Sequence, residues 1–168
     1  AAPLVSGVVA LMLQANTNLT WRDVQEILMR SATKNAATDS DWRTNAAGFK
    51  INHKYGGGMV NASGAVAQAS GWTKLASQSI LAANTLSLSV SIPDFGSGAV
   101  TQTFNMGGAT MRVEHVQVVV SATHPWRGDL GFTLVSPGGT TSVISRLQRN
   151  DGWDNYTNWP FMSVRHWG

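Results

Sequence analysis

The chain has 168 residues and a net charge of +3, with 43% hydrophobic residues, 12% charged residues and no cysteine. This composition is typical of a folded globular protein, and it excludes a disulfide framework or a thiolate metal site. The 12 lysines and arginines are scattered along the chain, so a nucleic-acid-binding surface is not expected. The length suits one domain, or part of one domain followed by a small second domain.

The first predicted element is a helix that is apolar on every side. From Leu4 to Leu13 only the small residues Ser6 and Gly7 interrupt the apolar run, which would let a neighbouring element approach closely there. Pro3 suits the first helical turn, where its missing N–H costs nothing. The run spans about 15 Å, half of what a bilayer needs, so no membrane span is expected. A helix without a polar face belongs inside a larger protein.

A second, amphipathic helix is expected after Thr20, because Asp23 three residues later completes a capping-box-like start. One side of this helix is apolar, and we expect that side to pack in the core. The apolar residues are Trp21, Val24, Ile27 and Leu28. The polar residues expected on the outer face are Arg22, Gln25, Glu26 and Arg30.

Residues 34–59 are predicted to be irregular. Their end contains Gly56-Gly57-Gly58, but no Gly-Lys-Ser/Thr follows, so a phosphate loop is not expected. The glycines instead permit a tight backbone path. A short alanine-rich helix is expected from its cap Asn61 to Ala69, stopping near Gly71.

After Trp72 the helical spacing gives way to alternation. The strand candidates are Leu86–Ile92, Thr101–Asn105, Val116–Val120, Leu130–Leu134, Val143–Ile144 and Trp159–Val164. A change in the phase of alternation near Glu114 and His115 predicts a β-bulge, and Ser136–Gly139 predicts a hairpin turn. Many short strands predict an antiparallel sandwich or jelly roll, with a domain boundary near residues 70–76.

Several motifs resemble, in order, the kexin/furin branch of the subtilisin-like serine proteases. The run Ala1–Gly7 is similar to the segment after the nucleophilic serine, whose pattern is Gly-Thr-Ser-x-x-x-Pro-x-x-x-Gly. Further stretches similar to that catalytic domain are Asn18–Gln25, Asp41–Gly48 and Lys50–Gly58. Stretches similar to the P domain that follows it are Arg112–Val116, Trp126–Leu130, Leu134–Thr140 and Asn158–Val164.

This resemblance implies a fold that is first α and then β. Residues 1–72 would be the helical C-terminal remnant of an α/β subtilisin-like catalytic domain, and residues 73–168 a jelly-roll P domain. The family's P domain continues past Gly168 with another strand, so the C-terminal strand is expected to be missing.

The resemblance also implies where the chemistry lies. Counting back from Pro3 places the nucleophilic serine two residues upstream of Ala1, so this chain would hold no catalytic residue and would be inactive alone. The four histidines, at positions 53, 115, 124 and 166, lie in no triad or nucleophile-elbow pattern. The parent would be a calcium-dependent, secreted or periplasmic endopeptidase that cleaves after basic residues. Its partners would be the rest of its own catalytic domain and a protein or peptide substrate.

Arg127-Gly128-Asp129 matches an adhesion signal, but it opens an apolar strand, which favours a structural aspartate or an Arg–Asp pair. A calcium site is the intermediate possibility, since Asp129, Asp151 and Asp154 supply the hard oxygen ligands that Ca²⁺ prefers. The residues expected to have structural roles are Pro3, Gly7, Trp21, Arg127 and Asp129.

One alternative is a non-enzymatic β-sandwich module with a helical extension, binding sugar or calcium through Trp126, Trp153 and Trp159. The apolar first helix favours the protease interpretation, because a stand-alone module has no use for it. Without its covering sheet that helix would expose a large apolar patch. Self-association, disorder of the first seventy residues, or attachment to the missing portion is then expected.

Overall fold

A computed structural model describes residues 1–93, 96–107, 110–147 and 150–168. Three helices come first: α1 (Ala2–Ala15), α2 (Trp21–Ser31) and α3 (Ala62–Ser70). Two short strands, β1 (Arg43–Thr44) and β2 (Lys50–Ile51), form an antiparallel pair between α2 and α3. Four strands follow: β3 (Val116–Ala122), β4 (Phe132–Val135), β5 (Thr141–Ser145) and β6 (Tyr156–Ser163). The predicted fold class, helices and then antiparallel strands, is confirmed.

The chain divides into two compact units. The first consists of residues 1–75 together with 112–168, and the second of residues 76–111. The first unit therefore contains both the helices and β3–β6. The predicted boundary near residue 72 concerns the order of domains along the sequence, and it stays a prediction.

The described residues of the second unit contain no helix or strand. The strands expected at Leu86–Ile92 and Thr101–Asn105 are therefore absent, although the first alternates without a fault. Alternation assigns side chains to two faces, but a strand also needs a neighbour to complete its ladder of hydrogen bonds.

The helices of the first unit pack around a small apolar core. Pro3 lies in the first turn of α1, as expected. Thr20 caps α2, and the full capping box with Asp23 is present. Asn61 caps α3, its side chain accepting a hydrogen bond from the N–H of Gly64 at 3.0 Å. The fully buried residues of this core are Met12, Ile27, Ala65 and Ala69.

Two expectations about α2 are wrong. Trp21, expected in the core, is 60% exposed, whereas Glu26, expected on the outer face, is 2% exposed. The reason is that the side of α2 carrying Glu26 meets polar donors from the strand-containing part of the unit, as described below.

The strands pair as two antiparallel ladders. β3 pairs with β6 and β4 with β5, and the Ser142 and Ser163 hydroxyls, 2.7 Å apart and buried, join β5 to β6. The predicted hairpin turn between β4 and β5 is confirmed: Gly139 has a φ of +79° and its N–H donates to the Ser136 carbonyl at 2.9 Å. The predicted bulge position is wrong, since β3 begins only at Val116 and the described ladders are irregular between Val120 and Ala122 and between Phe132 and Thr133.

An aromatic cluster joins β4 to β6. The rings of Phe132, Tyr156 and Phe161 lie 5.5 Å apart in each pairing. The Arg127 guanidinium stacks above Trp159 at 4.9 Å from the ring centroid, and it lies 5.6 Å from that of Tyr156. Arg127 thus tethers the turn before β4 to strand β6, and its expected structural role stays a prediction.

Candidate functional site: a polar seam between helices and strands

Glu26 is the centre of a buried polar contact between α2 and the strand-containing segment. Its carboxylate accepts hydrogen bonds from Arg30 Nε at 2.6 Å and from Trp167 Nε1 at 2.5 Å, and it forms an ion pair with Arg112. Burial favours the neutral acid and raises the pKa of Glu26, but the hydrogen bonds from Trp167, Arg112 and Arg30 outweigh burial and lower it. The carboxylate is therefore ionised, and both of its oxygens have hydrogen-bond partners.

A second ion pair lies one helical turn earlier on α2. Arg22 Nε is 2.9 Å from both carboxylate oxygens of Glu114, and each side chain is 17% exposed. Arg22 and Glu26 on the helix thus face Glu114 and Arg112 on the other segment, with the charges matched in pairs. Such an arrangement fixes the register of α2 against residues 112–114.

Asp23 joins α2 to the chain that follows α3. Its carboxylate accepts hydrogen bonds from the N–H of Thr20 at 2.7 Å, Trp72 Nε1 at 2.9 Å and the N–H of Leu75 at 2.8 Å. Burial raises the pKa of Asp23, but these bonds prevail and lower it to about 2. A helix-capping residue therefore also anchors the segment after α3.

Asn45, between β1 and β2, holds the last residues of the chain. Its Nδ2 donates to the carbonyls of Arg165 at 3.2 Å and Trp167 at 2.8 Å, while its Oδ1 accepts from the N–H of Phe49 at 2.9 Å. We call the set Arg22, Glu26, Asn45, Arg112, Glu114 and Trp167 the polar seam. The seam holds the helical part and the strand part of the first unit together.

His53 adds a further contact at the edge of the polar seam. Its Nδ1 lies 3.0 Å from Asp41 Oδ2 and 3.0 Å from Arg165 Nη1. The Asp41 carboxylate also accepts the backbone N–H of His53 at 2.6 Å, and this bond is the main cause of the lowered pKa of Asp41. Burial lowers the pKa of Arg165.

A second surface, on α1, has the opposite character. Of the residues of α1, all of which the structure describes, only Met12 is buried, and Leu4 and Leu11 are 79% and 50% exposed. Apart from Gly7's own stretch of helix, no heavy atom of the described residues lies within 4 Å of the position that a Cβ on Gly7 would occupy. The close approach expected at Gly7 therefore does not occur in the described part of the chain.

The candidate calcium ligands are not brought together. Asp151 accepts a hydrogen bond from Arg127 Nε at 2.9 Å, Asp154 accepts from Asn155 Nδ2 at 3.3 Å, and Asp129 is exposed. Over the described ranges, no three histidine or acidic side chains are placed to hold a metal ion. Arg127 does pair with an aspartate, but that residue is Asp151 and not Asp129.

The remaining motifs have local explanations. His124 Nδ1 lies 2.6 Å from the Trp126 carbonyl, and among the described residues neither ring nitrogen of His166 has a hydrogen-bond partner. In the part of the chain that the structure describes, no hydrogen bond joins a histidine to a serine. Gly58, at a φ of +125°, passes so close to the Thr33 carbonyl that a Cβ would collide with it. No helix among the described residues is both long and apolar enough to span a bilayer.

Comparison with known proteins places both parts of the chain in one family. Residues 1–58 match the model of the Subtilase family, and residues 113–168 match that of the Proprotein convertase P-domain. The chain belongs to the kexin/furin-like subtilases, and it spans the end of their catalytic domain together with P-domain sequence. The alternative of a stand-alone binding module is set aside, because the helical part matches the protease model.

Individual relatives agree with this assignment. Proprotein convertase subtilisin/kexin type 6 of Rattus norvegicus is 38% identical over 100% of this chain and 19% of its own length. Furin of Mus musculus is 36% identical over 99% of this chain and 21% of its own length. The crystal structure of the Aeromonas sobria serine protease in complex with the chaperone ORF2 superposes with a TM-score of 0.82 at 26% identity, covering 97% of this chain and 33% of that one. The chain thus spans about a fifth of the length of the two curated relatives, the type 6 convertase and furin.

The polar seam is absent from the sequence-based predictions, although the sequence contains a signal for it. Arg22 and Glu26 lie four residues apart on α2, so they share one face. Arg112 and Glu114 lie two residues apart, just before β3, so their opposite charges are close together in the sequence. The two pairs carry complementary charges, and that complementarity is the feature that could have indicated the contact.

Proposed function

We propose that this chain supplies the last helices of the catalytic domain and the P domain of a secreted or periplasmic kexin-like serine endopeptidase that cleaves after basic residues. The observation that carries the proposal is that two surfaces of different character are present together. One is the polar seam, which ties the P-domain segment to α2. The other is the exposed apolar face of α1, which suits a covering sheet.

The role of α1 follows from its geometry. A helix N-terminus presents unpaired N–H groups and a partial positive charge. A serine two residues before Ala1 would lie at that end, where its alkoxide character is favoured and its N–H can serve an oxyanion. Losing one such donor typically costs about 3 to 4 kcal/mol of barrier. Leu4 and Leu11 would then be scaffold residues that fix the nucleophile's position when the rest of the catalytic domain covers them.

The polar seam supports the second half of the proposal. Glu26, on the catalytic-domain side, is bonded to Arg112 and Trp167 on the P-domain side. Removing one partner of a buried charge network leaves the remaining charges buried and unpaired, which is destabilising. The P domain would therefore stabilise the catalytic domain through α2, the helix that packs against the same core as α1.

Calcium enters the proposal only at the level of the whole protease, as a hard cation that would stabilise the fold. The described residues of this chain do not fit it, because Asp151 is occupied by Arg127 and the carboxylates do not converge. We therefore assign no calcium ligand here, and no step of the proposal passes through one.

The test compares two serine-to-alanine variants in the whole protease that contains this chain. A fluorogenic Arg-Arg peptide reports turnover. Alanine at the position two residues before Ala1 is expected to reduce kcat/KM by roughly 10⁴-fold or more, whereas Ser6→Ala, on α1 itself, is expected to leave it within about twofold. Retained activity in the first variant, or turnover by the present chain alone, would overturn the proposal.

A further inference from the structure

Two tryptophans beside the aromatic cluster of β6 are largely exposed to water. Trp126 is 59% exposed and Trp153 is 72% exposed. They come from two segments that run side by side, because the Arg127 N–H donates to the Trp153 carbonyl at 2.8 Å. Tryptophan is a large apolar side chain and is enriched where proteins bind a partner. Two exposed indoles on adjacent segments therefore indicate a binding surface.

The charge around these indoles is mainly negative. The residues of segments 124–129 and 150–155 that are charged at neutral pH are Asp129, Asp151, Asp154 and Arg127. Asp151 is paired with Arg127 at 2.9 Å. In the described part of the chain, the Asp154 carboxylate accepts only from Asn155 Nδ2, at 3.3 Å, and that of Asp129 has no partner. Two carboxylates therefore remain available here, although the whole chain has a net charge of +3. We call Trp126, Asp129, Trp153 and Asp154 the indole surface.

The neighbouring contact of Arg127 shows which chemical group suits such a surface. The Arg127 guanidinium lies 4.9 Å from the centroid of the Trp159 ring, while its Nε donates to Asp151 at 2.9 Å. An aromatic face and a carboxylate thus hold one guanidinium together, a combination that favours arginine. The indole surface offers the same two kinds of group. Among the described residues, no lysine or arginine stacks on either of its indoles.

We propose that the indole surface binds an arginine-containing peptide segment, whose guanidinium groups stack on the two indoles and pair with the two carboxylates. A neutral sugar would use the indole faces but would gain nothing from the negative charge, so the charge favours the arginine peptide. The identity of that peptide rests on the proposed function. A protease that cleaves after basic residues meets arginine-rich substrates, and the surface would hold arginines of the substrate that lie outside the scissile bond.

The first test is proton–nitrogen NMR of the tryptophan Nε1–H groups of this chain, titrated with a short peptide in which arginine and glycine alternate. The signals of Trp126 and Trp153 are expected to shift, whereas those of the buried Trp42 and Trp167 should stay. Replacing each arginine by citrulline keeps the shape and removes the charge, and it should weaken binding about tenfold. Equal binding of the two peptides, or shifts confined to other tryptophans, would overturn the proposal. So would binding of an oligosaccharide at these indoles without binding of the arginine peptide.

Matched variants of this chain test the individual groups by titration calorimetry. Trp153→Ala is expected to weaken binding of the arginine peptide by about threefold or more, through loss of a cation–π contact. Asp154→Asn should weaken it by about twofold, as is typical of an exposed ion pair. Trp21→Ala removes an indole that is 60% exposed on α2 and should leave the affinity unchanged. Equal affinities in wild type and Trp153→Ala, or an equal loss in Trp21→Ala, would contradict the proposal.

The role in substrate binding is tested in the whole protease that contains this chain. Two peptide substrates share one cleavage site and differ in a tail that carries either arginines or citrullines. Wild type is expected to have a kcat/KM about threefold or more higher for the arginine tail, and Trp153→Ala should lose this preference. No preference in wild type would refute the role of the indole surface. The titrations need no turnover, so a failure of this proposal and a failure of the proposed function are distinguishable.

Discussion

Helices α1 and α2 follow one another in the chain, and their burial is the reverse of what their composition suggests. α1 carries no charged residue, yet Leu4 is 79% exposed. α2 is rich in charge, yet Asp23 and Glu26 are 0% and 2% exposed. Within this chain, a side chain is buried where a partner of matching chemistry is present, and hydropathy alone does not decide it. The donors for α2 come from residues 72–75 and 112–168, whereas the cover for α1 belongs, in our proposal, to the rest of the catalytic domain.

The largest effect should come from the buried acid at the centre of α2's contacts. Glu26→Gln removes the charge that Arg30 and Arg112 share, and it is expected to lower the free energy of unfolding by about 3 kcal/mol. Urea unfolding measures the loss. Gln25→Ala, an exposed neighbour on the same helix, should change it by less than about 0.5 kcal/mol. A loss below about 1 kcal/mol for Glu26→Gln would show that the polar seam contributes little.

The next largest loss of stability is expected at Met12, the one buried position of α1, and not on the exposed face of that helix. Met12 is 0% exposed in the helical core. Met12→Ala is expected to cost about 2 to 3 kcal/mol, through lost burial and a cavity. Leu11→Ala, the adjacent exposed position, serves as the matched truncation and should cost far less. Equal losses at the two positions would mean that α1 is covered on both sides.

Asp23 is expected to make a pH-dependent contribution of intermediate size to the free energy of unfolding. Its pKa of about 2 in the folded state lies below the ordinary 3.8, so its stabilisation is present above pH 4 and is lost as pH falls from 4 to 2. Asp23→Asn should cost about 2 kcal/mol at pH 7 and should flatten stability over that acidic window. Unfolding midpoints at pH 2, 3, 4 and 7 check both points. Gln25→Ala, at an exposed and non-titrating position of the same helix, should leave the slope unchanged, and an unchanged slope in Asp23→Asn would contradict the prediction.

The smallest loss of stability is expected on the exposed face of α1, where this chain and the whole protease should respond differently. Leu4→Gln on the exposed face of α1 is expected to change the stability of this chain by less than about 0.5 kcal/mol. In the whole protease the same change should be clearly destabilising, because there it buries a polar amide without a partner. Parallel thermal unfolding of the two proteins makes the comparison. Equal effects in both would show that nothing covers α1 in the parent.

Much of the secondary structure follows from the sequence. Pro3, the capping box of Thr20 and Asp23, and the Asn61 cap determine where the helices begin, because capping is a local interaction between residues a few positions apart. Ser136–Gly139 determines the hairpin between β4 and β5 in the same way, since the turn requires a positive φ at Gly139. The family assignment was also readable from the order of short motifs.

Contacts between distant parts of the chain determine which of the alternating segments form strands. Leu86–Ile92 and Val116–Ala122 both alternate, but within the described ranges only the second has a neighbouring strand, β6, to complete its hydrogen bonds. Glu26 lies on the polar side of an amphipathic helix, and only its distant donors Arg112 and Trp167 make it a buried residue. Local interactions fix where an element starts and stops. Burial and pairing depend on groups far away in the chain, and no local pattern contains them.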